Sequence, residues 1–198
     1  MSDYIIDLFS VPVKCCKLNI DNELLKNYCY LQKEKDVGRV LSNVGGWQSN
    51  NLNLEDNELQ DFIGQIIPNV ISYLNITNFK KNLNVKLNAI WCNINEYKDF
   101  NVSHIHTNSV ISGVYYIKTP TNCGNIIFSN PAQNIMQYDW PDKLKEKLNE
   151  KNSMSWWLPT EKNLLYIFPS YLYHTVEPNL NKEENRISLS FDISLYDK

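Results

Sequence analysis

After Asn82 the chain is written as short runs rich in β-branched and aromatic residues, VKLNAIWCNI, VISGVYYIK, NIIFSN, SWWL, LLYIFP, LYHTVEP and RISLSFDISL, each closed by Asn, Pro, Gly or a charged cluster. Runs of this length and punctuation commit the second half to β-structure. Two amphipathic stretches precede them. The first runs from Asn22 to about Lys35, with Asp21 as N-cap and Leu24, Leu25, Tyr28 and Leu31 at helical spacing. The second runs from about Glu55 to Leu74, with Leu59, Phe62, Ile63, Ile66, Ile67, Val70 and Ile71 as its apolar stripe and Pro68 as the place for a kink. Two helices followed by many short strands predict an α+β chain, in which both N-terminal helices pack on one face of a β-sandwich or jelly roll. A length of 198 residues supports one sizeable core and not two. The expectation is a single domain over residues 1–198, with helical support over about 21–80 and a jelly-roll core over about 83–198.

Three smaller segments complete the pattern. Tyr4 to Ile20, around Pro12, reads as one or two short strands at a sheet edge, where proline is tolerated. SNVGGWQSN is polar and glycine-containing and is expected to lie outside regular structure; Trp47 within it is expected to belong to a loop packed over the core. PAQNIMQYDWPDKLKEKLNEKNS interrupts the strands as a polar, partly helical insertion of the kind that borders binding sites.

Hydrophobic residues make up 43% and charged residues 21% of the chain, the balance of a globular protein and not of a membrane span or a disordered tail. The net charge of -3 is spread over interspersed acids and bases, so neither nucleic acid nor a membrane surface is an expected partner, and a small or peptidic substrate fits better. Five irregularly spaced cysteines, with no CxxC pair, argue against a disulfide framework and against a structural zinc site. The opening residues lack the basic start and apolar run of a secretory leader, so the cytoplasm is the expected compartment.

All three histidines fall in the β half, two as His104-Ile105-His106 and one as His174. Alternation along a strand sends residues i and i+2 to one face, so an HxH pair at a strand end can present two imidazoles to one metal. His174 follows a turn-forming FPS on a later strand, and a jelly roll can bring distant strands side by side. Three protein ligands leave coordination positions open for a reactant. Taken singly, each histidine is more simply a surface or satisfied strand residue; the three in this order point to a metal.

Arg186 opens RISLSFD, where Arg186, Ser188 and Ser190 share one face of a strand and Ile187, Leu189 and Phe191 the other. An inward arginine needs an anion, and its planar fork binds a carboxylate bidentately with Ser188 adding a hydroxyl. The plainer alternative is a surface arginine paired with Glu183 or Glu184. Asn93 alternates with Trp91 and Asn95 just before the HxH and is a candidate polar contact in the site. Tyr115 and Tyr116 lie on opposite faces of one strand, so one of them can face the barrel interior, with Tyr115 the candidate. Trp156, Trp157, Tyr171 and Tyr173 would offer a substrate platform, although aromatic residues on strands more often serve as packing or sheet surface.

The order HxH, strand, distal His and RxS resembles the superfamily of iron(II) and 2-oxoglutarate-dependent oxygenases. SNVGGWQS, HIHTNSVISGVYYIKTP, IIFSNP and LLYIFPSYLYHTVEPN with NRISLSFD are similar to a prolyl-hydroxylase-like subfamily of marine bacteria and their phages, over most of the chain from about Ser42. The resemblance implies a double-stranded β-helix and an iron(II) centre on His104, His106 and His174. It also implies that 2-oxoglutarate is anchored by Arg186 and Ser188, and that a small-molecule or peptidyl substrate is hydroxylated with dioxygen. His106 stands where the wider superfamily has a carboxylate, giving a neutral three-histidine set; Asp99, Asn95 and Asn108 are the other conceivable third donors. Two alternatives carry different chemistry: a cupin-type three-histidine metalloenzyme that does not use 2-oxoglutarate, and a non-catalytic jelly-roll binding module. An exposed Arg186, or one remote from the histidines, would favour the first. The aromatic-rich β surface would permit a homodimer.

Overall fold

The computed structural model describes residues 3–197; residues 1, 2 and 198, which the single-domain expectation includes, lie outside the described residues. The chain runs β1 (Lys14–Lys17), α1 (Asn22–Lys35), β2 (Asn43–Val44), β3 (Trp47–Gln48), α2 (Asn57–Ile76), β4 (Leu83–Asn95), β5 (Phe100–His104), β6 (Ile111–Lys118), β7 (Ile126–Ser129), α3 (Gln133–Asp139), β8 (Ser155–Leu158), β9 (Leu164–Pro169), β10 (His174–Val176) and β11 (Arg186–Asp197). The strands form two antiparallel sheets, of order β1-β9-β6-β11-β4-β3 and β2-β5-β10-β7-β8. β1 takes the expected edge position, and the insertion after β7 holds α3 and one 3-10 turn.

Both helices begin and lie where the sequence places them. The Asp21 carboxylate accepts from the backbone N–H groups of Glu23 and Leu24, and lysines close the last turn of α1, matching the helix dipole at both ends. Leu25, Tyr28 and Cys29 of α1 and Leu59, Phe62, Ile66 and Val70 of α2 pack against Ile90, Cys92, Ile94, Tyr115, Ile117, Ile187, Leu189, Phe191 and Ile193 of the six-stranded sheet. Leu24, Leu31 and Ile71, expected in the buried stripes, are instead exposed. Each sits about 100° round its helix from a neighbour that is more deeply buried, so the stripe that touches the flat sheet is narrower than the apolar periodicity suggested. Pro68 lies inside α2.

SNVGGWQSN is also corrected by the structure. It forms β2 and β3, two-residue strands that pair with β5 of one sheet and β4 of the other. Gly45 and Gly46, at φ +65° and +63°, make the turn that hands the chain from sheet to sheet, and a side chain at Gly45 would collide with Asp99. Trp47 is buried and its indole N–H donates to the Asp36 carbonyl at 2.9 Å, pinning the segment over the core as expected. Such short strands exist only through their partners, and a periodicity argument has nothing to read.

The second face of the six-stranded sheet looks at the five-stranded sheet. Part of the space between is filled by Val114, Tyr116, Ile126, Phe128, Tyr166, Phe168 and Leu172. The rest is a cavity of about 570 Å³, within the range of small-molecule sites. All five cysteines are free, and among the described residues no helix is long and apolar enough to cross a membrane.

Candidate metal centre

Strand parity builds the floor of the cavity. On β11, Arg186, Ser188, Ser190 and Asp192 face it while Ile187, Leu189, Phe191 and Ile193 face the helices. Antiparallel register extends this into rows across three strands: Asn93, Ser188 and Tyr116; Trp91, Ser190 and Val114; Ala89, Asp192 and Ser112. The opposite wall comes from β5 and β10, where His104 and His174 are direct cross-strand partners. His106 lies two residues beyond β5, its N–H held by the Ser170 carbonyl at 3.0 Å.

The three imidazoles therefore meet. Their ring centres are 4.3 Å (His104 to His174), 5.1 Å (His106 to His174) and 5.3 Å (His104 to His106) apart, and one ligand nitrogen from each lies within 4.8 Å of the other two. Each ring also has its Nδ1 engaged. His104 donates to the Val102 carbonyl at 2.7 Å, His174 to the Leu172 carbonyl at 2.9 Å and His106 to the Asp192 carboxylate at 2.7 Å. Because these partners are acceptors, a proton is assigned to each Nδ1, so Nε2 is the nitrogen that carries the lone pair in the neutral ring. Burial, with the neighbouring His104 ring second, pulls the His174 pKa down to about 3, and burial likewise lowers that of His104. Neutral imidazoles are the form that binds a metal. The donor set thus fits a first-row divalent ion with open positions.

Asp192 was not among the sequence candidates. Its Oδ1 takes hydrogen bonds from His106 and, at 2.7 Å, from the Ser112 hydroxyl, which is itself 2.8 Å from Ser170 Oγ. The carboxylate that a three-histidine set lacks thus stands one shell further out, orienting a ligand. Its signal was present in RISLSFD, where it continues the parity of Arg186, Ser188 and Ser190. Of the other conceivable third donors, Asn95 lines the cavity, the Asn108 carbonyl accepts from Ser194, and the Asp99 carboxylate accepts from the Glu96 N–H in a turn and is not part of the histidine cluster.

Arg186 lines the same cavity at 1% exposure. Its Nη1 donates to the carbonyls of Cys123 and, at 2.8 Å, Glu177, whereas its Nη2 is buried without a partner. No carboxylate pairs with it among the described residues, and Glu184, one of its supposed partners, instead binds Lys118 at 2.9 Å. Burial depresses its pKa, and Tyr116 pushes it back up. The Tyr116 hydroxyl is a second buried polar group without a partner on the same cavity wall. Two orphaned donors beside Ser188 make a cradle for an anion.

Asn93 and Ser188 line the cavity as expected. Tyr115 does not: it faces the helices, packs on Phe62 and donates to Asn22 Oδ1 at 2.8 Å, so the inward tyrosine is Tyr116. The aromatic platform is also dispersed. Trp156, Trp157, Tyr171 and Tyr173 are on the surface and none lines the cavity.

Comparison with known proteins agrees with this geometry. Residues 89–192, from the start of the cavity row on β4 to Asp192, match the family model described as "Putative 2OG-Fe(II) oxygenase". No curated protein matches. Among solved structures, a prolyl-4-hydroxylase from Pseudomonas putida is 11% identical with a TM-score of 0.62 and 95% of each chain covered. The viral collagen prolyl hydroxylase of Paramecium Bursaria Chlorella virus-1 is 11% identical with a TM-score of 0.56, covering 91% of this chain and 94% of that one. A carbocyclase, SnoK, from nogalamycin biosynthesis is 11% identical with a TM-score of 0.63, covering 92% and 79%. These likenesses show the fold, a double-stranded β-helix whose members differ in the reaction they run. With a matched span that carries both proximal histidines and the acid behind them, the chain belongs to the 2OG-Fe(II) oxygenase family, enzymes that use iron(II) and 2-oxoglutarate.

Proposed function

We propose that this oxygenase is a hydroxylase of a small-molecule or peptidyl substrate, its iron(II) held by Nε2 of His104, His106 and His174 and its 2-oxoglutarate held by Arg186. The observation that carries this reading is Arg186 itself: a guanidinium at 1% exposure, with no acid paired to it among the described residues, in the cavity that also holds the histidines. Burying an uncompensated charge costs several kcal/mol. The distal carboxylate of 2-oxoglutarate offsets that cost, with Ser188 and the orphaned Tyr116 hydroxyl as further donors and Asn93 on the adjoining row. A cupin-type centre without 2-oxoglutarate would leave this cation unexplained.

When bound, iron(II) and 2-oxoglutarate supply an oxidative decarboxylation, in which a substrate C–H bond, dioxygen and 2-oxoglutarate become C–OH, succinate and carbon dioxide. The chain's own part is positional. Val102, Leu172 and Asp192 fix the three rings so that their Nε2 lone pairs converge. The Cys123 and Glu177 carbonyls hold the guanidinium in place, and Phe128 and Phe168 pack against His174 to keep water from that side. Helical support and jelly-roll core act as one oxygenase domain in the cytoplasm.

The test is anaerobic addition of iron(II) and 2-oxoglutarate to the metal-free protein. A visible metal-to-ligand charge-transfer band is expected, and it should not form when succinate replaces 2-oxoglutarate. Absence of the band would favour the non-catalytic module. Screening amino acids and peptides for stimulated succinate release then identifies the substrate.

A further inference from the structure

The cavity contains a second arginine that the cosubstrate does not use. Arg39 lies in the loop between α1 and β2 and lines the cavity on the side of Trp91. Its guanidinium carbon is 5.8 Å from the centre of the Trp91 ring, and that ring is 5.3 Å from His106. One indole therefore separates the cation from the metal ligands.

The side chain is positioned but unsatisfied. Its backbone is fixed by the Arg39 N–H bond to the Gln48 carbonyl at 2.8 Å, and the loop is further pinned by Asp36, which accepts from the N–H groups of Gly38 at 2.8 Å and Asn50 at 2.7 Å. The guanidinium itself forms no ion pair and no hydrogen bond among the described residues, and its Nε is buried without a partner. The two acids whose fields reach it are already engaged: Asp36 by Gly38 and Asn50, Asp192 by His106 and Ser112. A half-buried cation over an indole, with unpaired donors on a cavity wall, is a receptor for an anion. The cavity lining carries the carboxamides of Gln48, Asn51, Asn93, Asn95 and Asn101 and, among the described residues, no arginine or lysine besides Arg39 and Arg186. A single guanidinium brings one positive charge, which balances a carboxylate but leaves a phosphate group, at about −1.5 to −2, only partly compensated.

We propose that Arg39 binds the carboxylate of the substrate, which is therefore a free amino acid or a peptide whose C-terminal residue enters the cavity. The acid rests on Arg39, and the carbon chain extends past Trp91 toward the histidines, where a C–H bond a few bonds from the acid is hydroxylated. This rests on Arg186 holding 2-oxoglutarate, which leaves the Arg39 side of the cavity to the substrate.

The experiment uses the protein loaded anaerobically with iron(II) and 2-oxoglutarate and reads the charge-transfer band, whose position responds to a substrate settling beside the metal. Each common amino acid, and a set of short peptides whose one carboxylate is C-terminal, is added as the free acid and as the primary amide. At least one acid should shift the band, with its amide at least tenfold weaker; a shift by amino acids alone, or by the peptides, separates the two sources of the carboxylate. Arg39→Gln should weaken that acid at least tenfold and erase the acid-over-amide preference, Arg39→Lys should restore part of it, and the concentration of 2-oxoglutarate that half-forms the band should stay within twofold of the parent. The inference is overturned if no acid shifts the band, if amides act as well as acids, or if Arg39→Gln raises the 2-oxoglutarate requirement as strongly as it weakens the acid. If the parent protein forms no band, the reading of Arg186 fails first and takes this one with it; a normal band without acid selectivity overturns the role of Arg39 alone.

Discussion

The two faces of β11 lie one side chain apart and do opposite work. Ile187, Leu189, Phe191 and Ile193 are sealed against the helices, every one fully buried in an apolar layer. Of the residues between them, Arg186, Ser188 and Ser190 are buried and Asp192 is partly buried, yet all four are polar. On the helix face burial stabilises by removing apolar area from water; on the cavity face burial leaves Arg186 Nη2 without a partner, a donor that a bound anion can satisfy. One strand thus carries stability and function on alternate residues, and a change on either face should register in a different measurement.

Phe191→Ala should have the largest effect. The ring lies 6.2 Å from Phe62 and occupies the space where Gly113 lacks a side chain, since a Cβ there would come within 2.3 Å of it. Truncation leaves a void under α2 and should cost about 3–5 kcal/mol in denaturant unfolding, while protein that remains folded binds 2-oxoglutarate as before. Arg186→Met should do the converse. The 2-oxoglutarate needed to half-form the charge-transfer band should rise about a hundredfold or more, as for loss of a buried charge partner, with a smaller change in unfolding free energy than Phe191→Ala. If the two variants lose stability equally and keep equal affinity, the division of labour between the faces is wrong.

Much of this division was legible in the sequence because it depends on parity. The HxH pair, the distal His174 and the alternation in RISLSFD each fix a face without any knowledge of the neighbouring strands. Parity alone does not say which face is inside: it opposes Tyr115 and Tyr116, but the docking of Phe62 and Asn22 from the two helices takes Tyr115, the expected inward residue, and leaves Tyr116 to the cavity. The strands of SNVGGWQSN were hidden for a similar reason, being two residues long and held by β4 and β5. Arg39 gave no local signal at all, since what distinguishes it is the empty cavity beside it.

Asp192→Asn sharpens the comparison at the next level down, because it alters the cavity face without touching a metal-binding nitrogen. The amide can still accept from His106 through its oxygen but carries no charge, and outer-shell substitutions of this kind weaken metal binding about 10- to 100-fold. Competition with a chromophoric chelator measures this, and a variant that holds iron(II) as tightly as the parent would show that Asp192 only fills space.

The adjacent tyrosines provide the smallest and most local test, since Tyr115→Phe and Tyr116→Phe remove the same atom from opposite faces of β6. The Tyr115 hydroxyl has a protein partner in Asn22, so its loss should cost about 1 kcal/mol of folding stability and leave 2-oxoglutarate affinity alone. The Tyr116 hydroxyl has none, so its loss should cost the cofactor-free protein little or nothing. If that hydroxyl completes the carboxylate cradle with Arg186 and Ser188, 2-oxoglutarate should bind about tenfold more weakly without it, the low end of a hydrogen bond to a charged group at about 1.5 kcal/mol. Equal effects of the two substitutions on either measurement would mean that the pleat of β6 does not separate the packed face from the binding face.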